Sequence, residues 1–153
     1  MGTVAISVRD LLSPGLASAA SRETMRRALE AGGTVLARAA RLSWPEPGRR
    51  PVPWAPLAAS TIRRKGHDKL LYDTGRLRDS ITLGMVTDRT ATVGTDAPYS
   101  IFHQMGTKRM DARPFIPADG QGGGLTPQAA GEIKDVMEGV IRAAAQRRTR
   151  GEA

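Results

Sequence analysis

The chain has 153 residues, enough for one domain, and its hydrophobic fraction of 40% is ordinary for a globular protein. It contains no cysteine, which excludes disulfides, cysteine-ligated zinc and thiol nucleophiles. Its net charge of +8, carried mostly by arginine, leaves acidic proteins and nucleic acid open as partners.

The first residues lack the basic segment and apolar core of a secretory signal, and no run approaches the ~18 apolar residues that span a bilayer. Aromatic residues make up only 4% of the chain, so the core must rely on alanine and aliphatic side chains. We therefore expect part of the apolar surface to be buried against partners.

The N-terminal part is predicted to be a short strand followed by one long helix. Residues 3–9 alternate apolar and polar side chains, which is typical of a strand. Ser13 then caps a helix that has proline at its first position and apolar residues at helical spacing over about 14–42. Gly32 and Gly33 each cost roughly 1 kcal/mol relative to alanine, which predicts a bend or a close helix contact.

A proline-rich loop covers residues 43–56, where five prolines and a glycine exclude regular structure. We expect Trp44 and Trp54 to anchor the two ends of this loop by burying their rings, rather than to stack on a ligand. Two short helices are predicted after the loop, over 56–65 and 74–80.

A β-hairpin is predicted next, because residues 81–86 and 91–95 alternate around a tight connection. Apolar and aromatic residues at helical spacing then indicate a short helix from Tyr99 that ends at Gly106.

The C-terminal part is predicted to be a glycine-rich connector over 117–126, a helix that begins after Thr126, and a frayed tail over 146–153. The helix has a strongly amphipathic pattern. Its apolar face consists of Ala130, Ile133, Val136, Met137, Val140, Ile141 and Ala144.

The order of these elements predicts a single α+β domain over residues 1–153. In this fold the long N-terminal helix, the short helices and the C-terminal helix pack on a small antiparallel sheet.

No arrangement of residues in the sequence supports catalysis. His67 and His103 lie far apart and lack metal-ligand spacing. A catalytic triad need not be contiguous, but no nucleophile elbow is present. The glycines at 122–124 lack the residues of a phosphate-binding loop. We predict no enzymatic activity, no metal and no cofactor.

Basic clusters keep non-specific nucleic-acid binding open as the alternative function. Residues 61–69, residues 106–113 and the C-terminal arginines supply cations that displace counterions from DNA. The stacking aromatics of single-strand binders are missing, and so are helix-turn-helix and zinc-finger patterns.

Four motifs carry a resemblance to a known family. They are WAPLAAST at 54–61, LYDTGRLRDSI at 71–81, VGTDAPYSIFHQMG at 93–106 and ARPF at 112–115. In this order and spacing they resemble the phage virion morphogenesis family of Mu-like phages, which is similar to tail-completion and neck proteins of other tailed phages.

The resemblance implies a structural virion protein, without catalysis, that completes or joins the tail at the head–tail interface. The implied partners are further copies of the chain in a sixfold ring and other tail or neck proteins, with DNA in the lumen as the competing contact. No membrane and no small-molecule substrate is implied. The implied location is the tail or neck of the virion, assembled in the bacterial cytoplasm.

The resemblance also implies that the motif residues form a structural corner that holds subunits in register. The set is Trp54, Leu57, Thr61, Asp73, Thr74, Gly75, Leu77, Ser80, Tyr99, His103, Gly106, Arg113, Pro114 and Phe115. Under this reading Asp73 or Thr74 caps the second short helix, and Phe115 enters the core or a neighbouring subunit.

In the same reading Tyr99, Phe102 and His103 face the sheet, and His103 hydrogen-bonds to backbone or to a neighbouring side chain. Basic residues on two loops are the candidates for contacts with acidic surfaces of neighbouring proteins. They are Arg63, Arg64, Lys65, Lys108 and Arg109.

Overall fold

The computed structural model describes residues 3–7, 11–117 and 125–151. Its elements in chain order are β1 (Thr3–Ser7), α1 (Pro14–Ala19), α2 (Arg22–Leu42), a 3-10 turn (Pro47–Arg49), α3 (Ala59–Lys65), α4 (Arg76–Asp79), β2 (Thr82–Val86), β3 (Thr90–Gly94), α5 (Ser100–Met105) and α6 (Pro127–Thr149). The predicted α+β class is confirmed.

The sheet has three antiparallel strands in the order β1-β3-β2. The predicted hairpin forms its β2–β3 half, and a bulge lies between Leu83 and Val86. β1 pairs with β3 over its whole length, from Thr3 opposite Gly94 to Ser7 opposite Thr90. The last two residues of the predicted first strand lie outside the described residues.

The helix predicted over 14–42 is two helices, so this prediction was wrong in its continuity. The backbone at Ala20 is extended, with φ −84° and ψ 139°. Ser21 then caps α2, because its Oγ accepts a hydrogen bond from the Thr24 backbone N–H at 3.2 Å. Ser13, the expected cap, makes no such bond at the start of α1.

α2 lies between the sheet and α6, and its paired glycines allow both to approach closely. A Cβ on Gly32 would lie 3.0 Å from side-chain atoms of Ile133 and Met137 on α6, while a Cβ on Gly33 would lie 2.4 Å from Leu83 on β2. The predicted close helix contact is confirmed. Gly32 thus faces α6, and Gly33 faces the sheet.

The proline-rich loop is anchored to the body by its two tryptophans, as predicted. Trp54 is 6% exposed and donates its indole N–H to the Pro114 carbonyl at 2.8 Å. Trp44 donates to the Leu71 carbonyl at 3.2 Å and packs against Trp54 and Phe115, with ring centroids 5.5 and 5.6 Å away. The 3-10 turn is the loop's only departure from irregular structure.

α6 begins at the predicted cap, where the Thr126 hydroxyl accepts from the Ala129 backbone N–H at 3.4 Å. Its buried residues are Ala129, Ile133, Met137 and Ile141. The tail expected to fray from residue 146 is helical to Thr149, although it is exposed. Most of the predicted connector, residues 118–124, lies outside the described residues.

The predicted inner face of α6 is also slightly misplaced. Val136 was assigned to it but is 38% exposed, whereas Ala129 is buried. Among the described helices none is long and apolar enough to cross a membrane.

Candidate functional site

The motif residues surround an open groove with a volume of about 910 Å³. Its walls come from α3, from the turn that precedes α4, from α5 and from the loop that follows α5. The motif residues that line it are Leu57, Thr61, Asp73, Thr74, Gly75, Leu77, Tyr99, His103 and Arg113. Segments that are separate in sequence therefore form one surface.

Glycine and threonine shape the wall that leads into α4. Gly75 adopts φ 85°, a conformation that favours glycine, and a Cβ there would lie 3.3 Å from the Tyr72 ring. The Thr74 hydroxyl accepts a hydrogen bond from the Arg76 backbone N–H at 3.4 Å, but Gly75 occupies the N-cap position and α4 has no side-chain cap, so the predicted capping by Asp73 or Thr74 was wrong. Leu77 is 4% exposed, which confirms that it packs inward.

Arg113 ties the loop after α5 to the end of the proline-rich loop. Its guanidinium donates to the carbonyls of Ala55 at 2.9 Å and Pro56 at 3.1 Å. Its backbone N–H donates to the His103 carbonyl at 2.7 Å. Because Arg113 is buried, it fixes the far wall of the groove rather than reaching outward.

The chain reverses after α5 at Gly106, as predicted. The turn that follows is closed by Thr107 and Met110, whose backbones exchange hydrogen bonds of 2.8 and 3.2 Å. The chain then returns alongside α5, where Pro114 and Phe115 are buried. The predicted entry of Phe115 into the core is confirmed.

Gln104 holds this returning segment and was not among the predicted residues. Its side-chain oxygen accepts from the backbone N–H groups of Phe115 at 3.1 Å and Ile116 at 3.2 Å. Its amide nitrogen donates to the Ile116 carbonyl at 3.4 Å. The one available signal was its place in the third motif beside His103.

The predicted orientation of α5 was wrong. The buried side chains of this helix are Ser100 and Gln104, whereas Phe102 is 54% exposed and Tyr99 37% exposed. The returning backbone needs the Gln104 amide on the inner side, which turns Phe102 outward.

His103 is half-buried and packs edge-on against Tyr99, with ring centroids 5.9 Å apart. Its Nδ1 is buried without a hydrogen-bond partner among the described residues, so the predicted hydrogen bond is not formed by this atom. The nearby Arg113 guanidinium is already directed to backbone carbonyls. Burial, with a smaller effect of the Arg113 charge, lowers the pKa of His103.

The remaining motif and basic residues take distinct places. The hydroxyls of Ser80 and Thr95 are hydrogen-bonded to each other across the start of the hairpin.

Of the predicted basic contacts, Arg64, Lys65 and Arg109 line the groove, whereas Arg63 and Lys108 do not. The groove also includes Arg76 and Asp111, which sequence reasoning missed.

In a comparison with known families, the model of the phage virion morphogenesis family matches residues 6–142. The chain belongs to this family. Membership gives it a structural or assembly role in a phage virion. Neither a curated protein nor a solved structure matches the chain.

In this member of the virion morphogenesis family, the groove offers no obvious metal chemistry. Within the described ranges, no three His, Asp or Glu side chains are placed together to hold a metal ion. The groove combines cations, apolar side chains and two carboxylates, a composition typical of protein contact surfaces.

His103→Gln is expected to reduce the loss of stability on acidification. Because the pKa of His103 is lowered in the folded protein, the unfolded state binds this proton first as pH falls. The loss of stability from this histidine therefore accumulates as pH falls from its unfolded pKa of about 6.5 to its lower folded pKa, and it stays constant below that pKa. Above the window the histidine adds no pH dependence.

Urea denaturation at about pH 7.5 and about pH 5.5 measures this effect. The wild-type protein should lose more unfolding free energy between the two conditions than the variant. Equal losses in both proteins would show that burial of this imidazole has no linkage to folding.

Proposed function

We propose that the chain forms an oligomeric ring, most simply a hexamer, that completes the phage tail and joins it to the head. Its partners are further copies of itself and other tail or neck proteins, and its role is assembly without catalysis. Membership in the virion morphogenesis family and the motif resemblance support this proposal.

The observation that carries it is an exposed apolar surface on α5. Ile101 is 38% exposed, Phe102 54% and Met105 57%, all within one six-residue helix. Single exposed apolar residues are normal, but adjoining ones mark contact surfaces. We call Ile101, Phe102 and Met105 the α5 patch.

A closed ring fits a chain with such a patch. In a ring, each subunit presents one surface to the next subunit and a different surface to the previous one. Burying the α5 patch against a neighbour removes apolar area from water, which stabilises the association by about 25 cal/mol per Å².

Phe102→Asp combined with Met105→Asp is therefore expected to convert the ring into monomers. Buried carboxylates at an apolar interface cost several kcal/mol, whereas on the monomer surface they cost little. Light scattering after gel filtration gives the mass of each species, and negative-stain images show whether rings are present.

Val52→Asp is the control, since Val52 is 48% exposed but lies in the proline-rich loop and not on α5. This variant should keep the oligomeric state of the wild type. A wild-type chain that stays monomeric at all concentrations and is absent from purified virions would refute the proposal.

Non-specific DNA binding is the second candidate, favoured by the cations gathered at the groove. Gel filtration at several salt concentrations, with and without DNA, separates the two. A ring that is stable to salt and indifferent to DNA supports assembly. Association that needs DNA and disappears with salt supports the alternative.

A further inference from the structure

The groove joins the two basic segments of the sequence into a single electropositive surface. Five cations line it against two carboxylates: Arg64, Lys65, Arg76, Arg109 and Arg113 against Asp73 and Asp111. None of these seven forms an ion pair with a charged residue that the structure describes. Elsewhere on the surface arginines do pair, as Arg26 and Arg27 do with Glu23.

Three of the five cations are available to a partner. Lys65 donates to the Lys69 carbonyl, and Arg113 is committed to the proline-rich loop. Arg64, Arg76 and Arg109 are exposed and come from α3, α4 and the turn after α5. Three guanidinium groups from three segments therefore surround one opening.

The lining of the groove also includes apolar side chains. Leu57, Leu71, Leu77 and Met110 contribute to its lining, and Tyr99 stands at its α5 side. Arginine and tyrosine are the side chains that contribute most to binding energy in protein interfaces. A volume of about 910 Å³ lies within the range of formed binding sites, roughly 300–1,000 Å³.

This composition favours a protein segment over DNA. Asp73 and Asp111 would repel a phosphate backbone, and leucine side chains give it nothing to contact. Carboxylates on a peptide, in contrast, can be placed individually opposite the arginines, which bind them in bidentate fashion. Its apolar side chains can then fill the interior.

We propose that this groove binds an acidic segment of another virion protein, with carboxylates at Arg64, Arg76 and Arg109 and an apolar side chain against Leu57 and Met110. Only one part of this proposal, that the segment belongs to another virion protein, rests on the proposed assembly function. A second copy of this chain is a poor occupant of a basic groove, because the chain carries a net charge of +8.

The test uses the full chain and a short fluorescein-labelled peptide of alternating glutamate and leucine. Fluorescence anisotropy should show saturable binding that weakens as salt is raised. The same peptide with glutamine in place of glutamate should bind roughly tenfold more weakly. Failure of the acidic peptide to bind, or equal binding of both peptides, overturns the proposal.

The double variant Arg64→Glu and Arg76→Glu should lower affinity for the acidic peptide by at least roughly tenfold. The matched control is Arg63→Glu with Arg89→Glu, which makes the same charge change at exposed positions outside the groove. If the control loses as much affinity, net charge and not the groove binds the peptide, and the proposal is wrong.

A short labelled DNA duplex is measured beside the peptide. Tighter binding of DNA, lost in the groove variant and kept in the control, would assign the groove to nucleic acid and overturn the proposal. Oligomeric mass is recorded for the same samples. A monomeric chain that still binds the peptide through the groove refutes the ring alone, and a ring that ignores the peptide refutes the groove alone.

Discussion

Gly106→Ala is expected to lower the free energy of unfolding by about 3 kcal/mol, because two costs combine at this position. The backbone has φ 74° and ψ −179°, a region that is essentially restricted to glycine. A Cβ would also lie 2.9 Å from the Ala112 backbone nitrogen and 3.0 Å from the Met110 carbonyl oxygen. These are backbone atoms of the returning loop, which a rotamer change cannot move aside.

Gly66→Ala is the comparison, a glycine in the milder left-handed region, with ψ 5°, and without a clash. Gly66 has a similar φ of 75°, but a Cβ there meets nothing within 4 Å. Its substitution should lower the free energy of unfolding by only about 1 kcal/mol, the usual penalty for a non-glycine residue in the left-handed region. Urea denaturation of both variants measures the difference. Equal losses would mean that the loop after α5 yields freely, and the corner would not be rigid.

Gln104→Met is expected to lower the free energy of unfolding by about 3 kcal/mol, although methionine has nearly the same shape. The substitution leaves the backbone N–H groups of Phe115 and Ile116 buried without an acceptor. Unsatisfied buried groups of this kind cost about 1–3 kcal/mol each, and their sum is reduced by local relaxation.

Gln128→Met supplies the comparison, because Gln128 is an exposed glutamine at the start of α6. Its substitution should change stability by no more than about 0.5 kcal/mol. Thermal and urea unfolding of both variants, followed by far-ultraviolet circular dichroism, measures the effect. If Gln104→Met is as stable as the wild type, the returning segment is held by packing of Phe115 alone.

Local patterns in the sequence were enough to predict most helices and strands. Thr126 with Pro127, the alternation around the hairpin and the glycine at 106 each act within a few residues, so their positions could be read directly. The break at Ala20 could not, because apolar spacing continues across it and only the cap at Ser21 marks it. Periodicity reports which face is apolar, not whether the backbone is continuous.

Many residues of the groove could be predicted from the sequence, but their arrangement in space could not. The motif set contains about half of its lining, yet nothing in the sequence says that α3 and the loop after α5 lie side by side. Phe102 was placed inward because helical spacing with Tyr99 suggests a single apolar face. Gln104 was passed over because a polar side chain in a short helix usually faces solvent, and its role depends on a backbone eleven residues away.

The pairing of β1 with β3 has a consequence for synthesis on the ribosome. Thr3 lies opposite Gly94, so the first strand has no partner until some 90 residues more have been made. At about 5–20 residues per second this is a wait of roughly 5–20 seconds. During that time β1 can form no sheet within its own chain. The hairpin must supply the template, and β1 is added to it afterwards.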